Sequence, residues 1–323
     1  MHMLGISNGT IAGNSEILLK AALQAAQRYD SSLTVSHIHA PSVAMPRNPK
    51  PLPGSQDISL GTVQRVGTHT IDDVGSDDRQ AVLEAILSAD GLIIATPIYS
   101  HQPVGFLKAV VDRILGPFTD AAFVQRVLEG QRRGDPACDG VHVDARILKP
   151  RVVSFIAVAG SSLTDQITMA LPTMHQYVYS LHAKVVDQHV FTGYGNPGAV
   201  AVMHDGQALT RARLLGERVA SQLGRSFDEA QYLGLHRKGD CPYCHLSKIE
   251  LDYTPGNEIG CVTCGARGKL VVLDGGRIGT EWGRDSSISC ITMEGNMKHV
   301  ADIITGGQAE VDRAKAIAAA RER

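Results

Sequence analysis

The sequence predicts an α/β protein in which helices cover both faces of a doubly wound parallel sheet, with a small cysteine-bearing β unit at the end. Segments rich in β-branched and apolar residues alternate with segments of helical period as far as residue 224. Residues 91–96 are apolar almost without interruption, which is typical of a parallel strand buried on both faces. From residue 241 onward the chain is rich in glycine and short β segments, and this change in composition indicates a second unit.

The predicted elements follow one another in a regular order. We expect strands at residues 3–7, 33–38, 91–96, 152–158 and 184–190. We expect helices, from the recurrence of apolar residues on one face, at residues 15–28, 79–88, 104–115, 167–181 and 208–223. Pro172 lies inside the fourth of these helices and is an alternative starting point for it. The expected domains are residues 1–224 for the sheet, 238–290 for the β unit and 291–323 for a charged helical tail.

Composition and charge argue against two classes of partner. The 323 residues carry a formal net charge of −2, so no overall field favours nucleic acid or a membrane surface. No apolar run reaches the roughly 18 residues of a membrane-spanning helix, and the N-terminus lacks the pattern of a signal peptide. Four of the six cysteines lie in two C-x-x-C pairs, a spacing that favours metal ligation over disulfides. We therefore expect a cytoplasmic protein.

The first strand ends in a loop of small polar residues that leads directly into a helix. Hydroxyl and amide groups that can hold an anion at the helix N-terminus are supplied by Ser7, Asn8, Thr10, Asn14 and Ser15. The loop contains no lysine or arginine, and its glycines follow neither the dinucleotide-binding spacing nor the P-loop pattern. A phosphomonoester held by neutral donors therefore fits better than a nucleoside triphosphate. The alternative is an ordinary helix start with Asn14 or Ser15 as its N-cap.

Two further loops follow the third and fourth predicted strands. The first of them begins with Thr96-Pro97-Ile98-Tyr99-Ser100. Pro97 stiffens the exit from the strand, and Ile98 and Tyr99 can lie along a flat ring. The second loop begins with Ala159-Gly160-Ser161-Ser162. Because ligands of open parallel sheets bind outside the carboxyl ends of the strands, we expect the three loops to meet at one site.

Residues 5–19 and 89–113 resemble the NADPH-dependent FMN reductase and iron–sulfur flavoprotein group of flavodoxin-like proteins, and the resemblance extends over about residues 1–224. It implies a flavodoxin-like sheet of five parallel strands in the order 2-1-3-4-5 and a bound FMN. By this resemblance the FMN phosphate is held by Ser7, Asn8, Thr10, Asn14 and Ser15. The isoalloxazine ring is lined by residues 96–100 on one side and by residues 159–162 on the other.

The resemblance also implies the chemistry. NAD(P)H would reduce bound FMN, which would then reduce a small acceptor such as a quinone, a nitro- or azo-aromatic or free flavin. The insertions at residues 41–76 and 117–150 are the expected walls of the acceptor pocket, and a homo-oligomer is implied. In departure from the family pattern, the first loop lacks an early arginine, and residues 41–76 contain no cysteine, which excludes an iron–sulfur cluster there. The alternative is an electron-transfer or binding module whose cysteine unit docks a protein partner.

Cys241, Cys244, Cys261 and Cys264 form two C-x-x-C pairs separated by sixteen residues. This is the spacing of a four-thiolate tetrahedral metal site on two knuckles. Short strands are expected at residues 249–253, 258–260 and 269–273, followed by a hairpin turn at residues 275–276. Structural zinc is the expected ion because aromatic residues are sparse here, and iron in a rubredoxin-like site is the alternative. The basic residues nearby are too few to indicate nucleic acid.

Overall fold

The structure is a computed structural model that describes residues 1–45, 77–114, 119–252 and 255–321. The predicted insertion at residues 41–76 lies outside the described residues beyond position 45. The strands of the main sheet are β1 (His2–Ser7), β2 (Thr34–His39), β3 (Gly91–Tyr99), β4 (Gln102–Pro103), β5 (Val152–Val158) and β6 (Lys184–Phe191). All five predicted strands are therefore present, and each starts within one residue of its predicted position.

The main sheet has the strand order β2-β1-β3-β5-β6, and neighbouring strands on this path are parallel. The two-residue strand β4 pairs only with β3, in an antiparallel hairpin. Without it the order is 2-1-3-4-5, so the prediction of a flavodoxin-like sheet is confirmed. The registers Ser7↔Ala95, Pro97↔Val158 and Val158↔Phe191 bring the carboxyl ends of four strands to one edge.

Helices cover both faces of this sheet, as predicted. They are α1 (Asn14–Tyr29), α2 (Arg79–Ser88), α3 (Gly105–Ile114), α4 (Ala121–Arg133), α5 (Ala170–Gln176), α6 (Ala199–Val202) and α7 (Gln207–Gln222). α1 and α7 share one apolar core with the sheet, and α2 to α5 share the other. A Cβ on Gly216 would lie 2.0 Å from the carbonyl oxygen of Ala22, so the close packing of α1 on α7 requires glycine there.

The helix between β5 and β6 is shorter than the 167–181 predicted. α5 begins at Ala170, and Pro172 lies in its first turn, where proline is tolerated. The alternative start near Pro172 is therefore confirmed. Residues Thr164–Ile167 and Tyr179–Leu181 form 3-10 turns, and His182, with a φ of 47°, ends the segment so that the chain can enter β6.

The cysteine unit contains a separate antiparallel sheet in the order β10-β9-β8-β7. Its strands are β7 (Ile249–Leu251), β8 (Glu258–Cys261), β9 (Arg267–Val272) and β10 (Ile278–Trp282). The first three match the prediction, and β10 is a fourth strand that returns after Gly275 and Gly276. Both glycines have positive φ, 78° and 74°, in the region that glycine adopts without strain.

The tail is helical, as predicted, and consists of α8 (Met293–Asp312) and α9 (Ala314–Arg321). The Thr292 side chain caps α8 by accepting a hydrogen bond from the Gly295 N–H. In the part of the chain that the structure describes, no helix has both the length and the apolar character needed to cross a bilayer. The domain boundaries at residues 224, 238 and 290 stay predictions.

Candidate active site

A cleft of about 380 Å³ opens at the carboxyl edge of the main sheet. Its volume lies in the range of small-molecule sites. Thr10, Asn14 and Ser15 line it from the first predicted loop, residues 97–100 from the second, and Gly160 from the third. The three predicted loops therefore meet at one place. No lysine, arginine, aspartate or glutamate from the described residues belongs to the lining, so the walls carry no formal charge.

The N-terminus of α1 faces this cleft without a side-chain cap. Gly13 is the N-cap residue, with an extended backbone, and no side chain accepts a hydrogen bond at this cap. Asn14 and Ser15 lie inside the helix, so the alternative that one of them is the N-cap is wrong. Uncapped N–H groups and the positive end of a sixteen-residue helix together attract an anion.

The Asn14 side chain joins the first loop to the loop that follows β6. Its amide nitrogen donates to the carbonyl oxygens of Tyr194 (2.9 Å) and Asn196 (2.8 Å). Its amide oxygen accepts a hydrogen bond from the Val200 N–H (3.3 Å). All the hydrogen-bonding groups of this amide are thus in use, and Asn14 shapes the cleft by fixing two of its walls together.

Ser7 and Asn8 lie beneath the cleft and are absent from its lining. Ser7 Oγ is 2.8 Å from His37 Nε2 on β2. The buried Asn8 amide nitrogen donates to Thr96 Oγ1 (3.1 Å) and to the carbonyl oxygen of Val104 (2.9 Å). Asn8 Oδ1 has no hydrogen-bond partner among the described residues. Ser7, Asn8 and Thr96 therefore hold the loop in place from below.

The first loop forms the first wall of the cleft, the end of β3 forms the second, and the loop after β5 forms the third. β3 continues to Tyr99, three residues beyond its predicted end. Ile98 and Tyr99 therefore lie on a strand, and the prediction of a loop there is wrong. Since alternate residues of a strand face opposite sides, Ile98 enters the core (7% exposed) while Tyr99 is 62% exposed beside the cleft. An exposed aromatic ring in this position can cover one face of a flat ligand.

The turn that follows Tyr99 has a strained backbone. Ser100 has a φ of 48° and His101 a φ of 74°, both in the left-handed region that favours glycine. Two successive residues of positive φ are typical of the type I′ turn of a two-residue hairpin, here between β3 and β4. His101 Nδ1 donates to the carbonyl oxygen of Asp165 (2.7 Å), and the Met169 N–H donates to the carbonyl oxygen of His101 (3.1 Å). The segment before α5 thus holds the turn from outside.

The fourth wall was missed by the sequence analysis. It is formed by Tyr194, Gly195 and Pro197, in the loop after β6. A Cβ on Gly160 would lie 3.0 Å from the Cα of Gly195, so glycine keeps the third and fourth walls in contact. A signal was present, because residues 192–198 contain three glycines and one proline directly after a predicted strand.

The other predicted residues of the third loop lie outside the lining. Ala159 is buried, and its N–H donates to the carbonyl oxygen of Phe191 (2.8 Å) while its own oxygen accepts from the Tyr194 N–H (3.1 Å). Ser161 and Ser162 are absent from the cleft wall. Of these four residues, Gly160 alone faces the cleft.

One carboxylate supports the first loop without lining the cleft. Glu16 accepts a hydrogen bond from the Ala12 N–H (2.5 Å) and pairs with Lys20 (2.6 Å). The hydrogen bond from Lys20 lowers the pKa of Glu16 and outweighs the opposite effect of burial. Ala12 has a φ of 56°, so the Glu16 carboxylate stabilises a left-handed residue within the first loop.

The four predicted cysteines come together in the second unit. The sulfur atoms of Cys241, Cys244, Cys261 and Cys264 all lie within 4.8 Å of one another, and all four residues are buried. The Sγ–Sγ distances are 3.6 Å for Cys241–Cys264 and 3.4 Å for Cys244–Cys261. A tetrahedron with metal–sulfur bonds of about 2.3 Å has edges of about 3.8 Å, so the arrangement suits a tetrahedral metal ion. Shared hydrogen bonds lower the pKa of Cys261 and raise that of Cys244, so the buried thiols titrate as a coupled group.

Parallel strands in the order 2-1-3-4-5, with an uncapped helix N-terminus and an exposed tyrosine at their carboxyl edge, define the class of flavodoxin-like flavin-binding proteins. The sequence profile of the NADPH-dependent FMN reductase family matches residues 1–196. The chain belongs to this family, and it is an NAD(P)H-dependent flavin oxidoreductase.

Two similar proteins cover nearly the whole chain. Flavone synthase cfoJ of Aspergillus candidus is 32% identical over 321 residues, which are 96% of this chain and 91% of that protein. A solved structure described as a flavone reductase is 23% identical and superimposes with a TM-score of 0.72. It covers 97% of this chain and 92% of that chain, so the likeness in fold includes the cysteine unit and the tail.

The residues of the cleft fit the FMN that the family uses. The uncapped N-terminus of α1 suits a phosphate, the exposed Tyr99 suits a flat ring, and neutral walls suit a cofactor that carries its own charge. The orphaned Asn8 Oδ1 beneath the first loop leaves a further buried hydrogen-bond acceptor at the same edge.

Proposed function

We propose that the protein binds FMN in this cleft and passes reducing equivalents from NAD(P)H to a planar aromatic acceptor. The observation that carries the proposal is the position of the uncapped α1 terminus and the exposed Tyr99 in one neutral cleft. The helix N-terminus can bind a phosphate, and the tyrosine ring can lie against a flat ring. FMN contains both a phosphate and a flat ring.

The phosphate end of the cofactor is assigned to the first loop. Thr10 and Ser15 line the cleft and supply hydroxyl groups beside the N–H groups of α1. Asn14 fixes the loop to the opposite wall, while Ser7 and Asn8 support it from beneath. A helix terminus of this kind stabilises an anion by about 0.3–1 kcal/mol, and by up to about 2 kcal/mol when it is partly buried.

The ring end is assigned to the second, third and fourth walls. Pro97, Tyr99 and Ser100 lie along one side, and Gly160 and Tyr194 close the other. When bound, FMN supplies hydride transfer between the nicotinamide and the acceptor. The protein groups bind the cofactor, orient its ring and exclude water, roles for which the uncharged lining formed by the described residues is suited.

For the acceptor we propose a flavone-type compound. The two similar proteins carry the names flavone synthase and flavone reductase, and a flavone is a flat aromatic ring system with a double bond conjugated to a carbonyl. Its reduction adds one hydride and one proton across that double bond while NAD(P)H is oxidised to NAD(P)⁺. Quinones, nitro- and azo-aromatics and free flavin are flat acceptors of the same kind and are the alternatives.

The test uses the purified full-length chain loaded with FMN under anaerobic conditions. We expect NADPH or NADH to bleach the visible flavin band, and a flavone to restore it with formation of the reduced product. Restoration by a quinone but not by a flavone would support the alternative acceptors. FMN that binds but resists bleaching would support an electron-transfer or binding module, and a chain that does not bind FMN would contradict the proposal.

For the cysteine centre we propose structural zinc. The four buried thiols and their tetrahedral spacing support a metal, and the sparse aromatic side chains around them, Tyr243 and Trp282, favour zinc over iron. Elemental analysis of the purified protein is expected to give one zinc ion per chain. Iron and a red colour would instead indicate a rubredoxin-like centre.

We further propose a homo-oligomer in a reducing compartment such as the cytoplasm. The six cysteines are all unpaired, which suits a reducing environment. Ile303 and Val311 on α8 are exposed apolar side chains of the kind that subunit contacts cover. Light scattering of the FMN-loaded protein is expected to give a mass of at least two chains, and a monomer would contradict the proposal.

A further inference from the structure

Two elements of the main unit contact the cysteine unit and also lead to the cleft. One is α5, which is preceded by the segment that holds the hairpin turn after Tyr99. The other is β6, whose following loop contains Tyr194 in the fourth wall. The cysteine centre and the cleft are therefore joined through two short stretches of chain.

At the cysteine end, these elements bind the backbone of both knuckles. The buried Gln188 on β6 donates from Nε2 to the carbonyl oxygen of Cys244 (2.8 Å), and its Oε1 accepts a hydrogen bond from His175 Nε2 in α5 (2.9 Å). Gln176, the last residue of α5, donates to the carbonyl oxygen of Thr263 on the second knuckle. The first knuckle, residues 241–244, thus accepts a hydrogen bond from Gln188, and the second knuckle, residues 261–264, accepts one from Gln176.

At the cleft end, the same segment holds the strained turn. Met169 directly precedes α5 and donates its N–H to His101, and the oxygen of Asp165 accepts the His101 Nδ1 hydrogen bond. Left-handed residues such as Ser100 and His101 persist when their surroundings hold them in place. Residues 165–169 therefore help to hold Tyr99, which also pairs with Gln102 in the hairpin, in the cleft wall.

The segment from Thr164 to Gln176 cannot hold this position by itself. It contains a four-residue 3-10 turn and a seven-residue helix, which is too short to be stable in isolation. Ala170 and Met174 anchor one side of it in the main core, Tyr177 and Val178 anchor the chain just beyond it, and the bond from Gln176 to Thr263 ties its far end to the second knuckle. Without ordered knuckles the buried Gln188 amide loses its bond to the Cys244 oxygen (2.8 Å) and keeps only the longer one to Tyr232 Oη (3.4 Å), which is costly in a buried site.

We propose that a metal ion bound at the four cysteines stabilises the β3–β4 hairpin beside the cleft. Gln188 and Gln176 are the positioning residues that connect the cysteine centre to this hairpin. Loss of the metal loosens the knuckles, frees the end of α5 and releases the turn at His101, so FMN affinity falls. This inference rests on the proposed FMN and metal sites.

The first test measures the affinity for FMN by quenching of flavin fluorescence, with the metal content determined on the same samples. We expect metal removal with a chelator to weaken FMN binding about tenfold, and Gln188→Leu to weaken it about five- to tenfold with one metal ion still bound. Losing one or two buried hydrogen bonds has effects of this size. Gln176→Ala is expected to act in the same direction and more weakly, because Gln176 is more exposed.

The matched control is Gln222→Leu, since Gln222 is also a buried glutamine but lies on α7, where its described hydrogen bonds go to Ser221 and the Gln231 N–H. It is expected to lower stability without changing FMN affinity. The proposal is overturned if the metal-bound Gln188→Leu variant binds FMN as tightly as the wild type, or if Gln222→Leu weakens FMN binding to the same extent.

A second readout is independent of FMN. Hydrogen–deuterium exchange of the flavin-free protein reports on the Met169 amide, which is protected by its bond to His101. We expect faster exchange at this amide after metal removal and in Gln188→Leu, and unchanged exchange in Gln222→Leu. If the wild type does not bind FMN, the proposed function fails. The exchange result still tests whether the cysteine centre stabilises the β3–β4 hairpin. Equal exchange in all samples, or a wild-type chain that contains no metal, overturns the inference.

Discussion

Asn14 illustrates how a single residue determines the shape of the cleft. It is buried in the first turn of α1, and its amide bonds two carbonyl oxygens of the loop after β6 and the Val200 N–H of α6. The sequence identified Asn14 as a phosphate ligand, whereas the structure directs its side chain to Tyr194 and Asn196. Its effect on a ligand therefore acts through the position of the fourth wall.

We predict that Asn14→Ala lowers the free energy of unfolding by about 1–3 kcal/mol, because buried carbonyl oxygens lose their donors. It is also expected to weaken FMN binding by releasing the fourth wall. Urea denaturation and FMN titration measure the two effects. Gln24→Ala, an exposed position on the same helix, is the control and should change neither quantity. An Asn14→Ala protein with unchanged FMN affinity would show that the tether does not shape the site.

Three histidines with lowered pKa contribute to the dependence of stability on pH. Burial lowers the pKa of His175, His182 and His189 to about 4, against 6.5 as the ordinary value. The unfolded chain therefore binds more protons than the folded chain between about pH 6.5 and about pH 4. Stability from this source is fully present above about pH 6.5 and is lost as the pH falls through that window.

We predict that His182→Asn reduces the loss of stability between about pH 7 and about pH 5. His182 is stacked on Phe227, with ring centroids 4.0 Å apart, and has a φ of 47° that asparagine tolerates. The substitution thus removes one titrating group without requiring a change in backbone conformation. Urea midpoints at several pH values measure the effect, and a pH profile parallel to that of the wild type would refute it.

At the scale of elements, the β3–β4 hairpin carries the wall against which we place the flavin ring. Its turn contains two non-glycine residues of positive φ, and His101 compensates with hydrogen bonds to residues 165 and 169. Sequence patterns do not report such a turn, because the usual signal is an Asn-Gly or Gly-containing dipeptide. For this reason the sequence placed the end of the strand at Thr96, whereas the strand continues to Tyr99 and the turn begins at Ser100.

We predict opposite outcomes for two glycine substitutions in this turn. Ser100→Gly relieves the left-handed strain and is expected to raise the free energy of unfolding by about 0.5–1 kcal/mol. His101→Gly relieves the same strain but removes the bond from Nδ1 to Asp165, so it is expected to give no gain in stability and to weaken FMN binding. Equal stabilisation by the two substitutions would contradict the role of His101 as an anchor.

At the scale of the whole molecule, a large α/β unit is combined with a small β unit that has little apolar core of its own. The buried cluster of the small unit consists of the four cysteines and Ala266, with Trp282 and a few partly buried residues around it. A unit with so small a core needs a covalent or metal staple to fold. We therefore expect loss of the metal to destabilise the small β unit more than the large α/β unit.

We predict that Cys261→Ser abolishes metal binding and disorders the small sheet while the parallel sheet persists. Structural zinc contributes roughly 10–16 kcal/mol of apparent binding free energy, and losing one thiolate removes most of it. Elemental analysis and hydrogen exchange over β7 to β10 measure the two effects. Cys138→Ser, a buried cysteine outside the quartet, is expected to keep the metal. Metal bound at full stoichiometry in Cys261→Ser would contradict the assignment.

Much of this molecule was predictable from the sequence because the signals are local. Apolar runs and helical periods located the five parallel strands, and the C-x-x-C spacing located the four cysteines that come together. The polar loops at strand ends predicted the edge where the cleft opens. The family resemblance added the strand order and the flavin chemistry, which residue patterns by themselves do not specify.

The tertiary structure decided which polar residues face the cleft and which only support it. Ser7 and Asn8 turned beneath the first loop, Asn14 turned to the fourth wall, and Tyr194 entered the site from the other end of the main unit. These outcomes depend on hydrogen bonds between residues far apart in the chain, as in the contact of Asn14 with Tyr194. A local pattern states where a polar side chain is available, but only packing of the whole chain determines which buried partner it must satisfy.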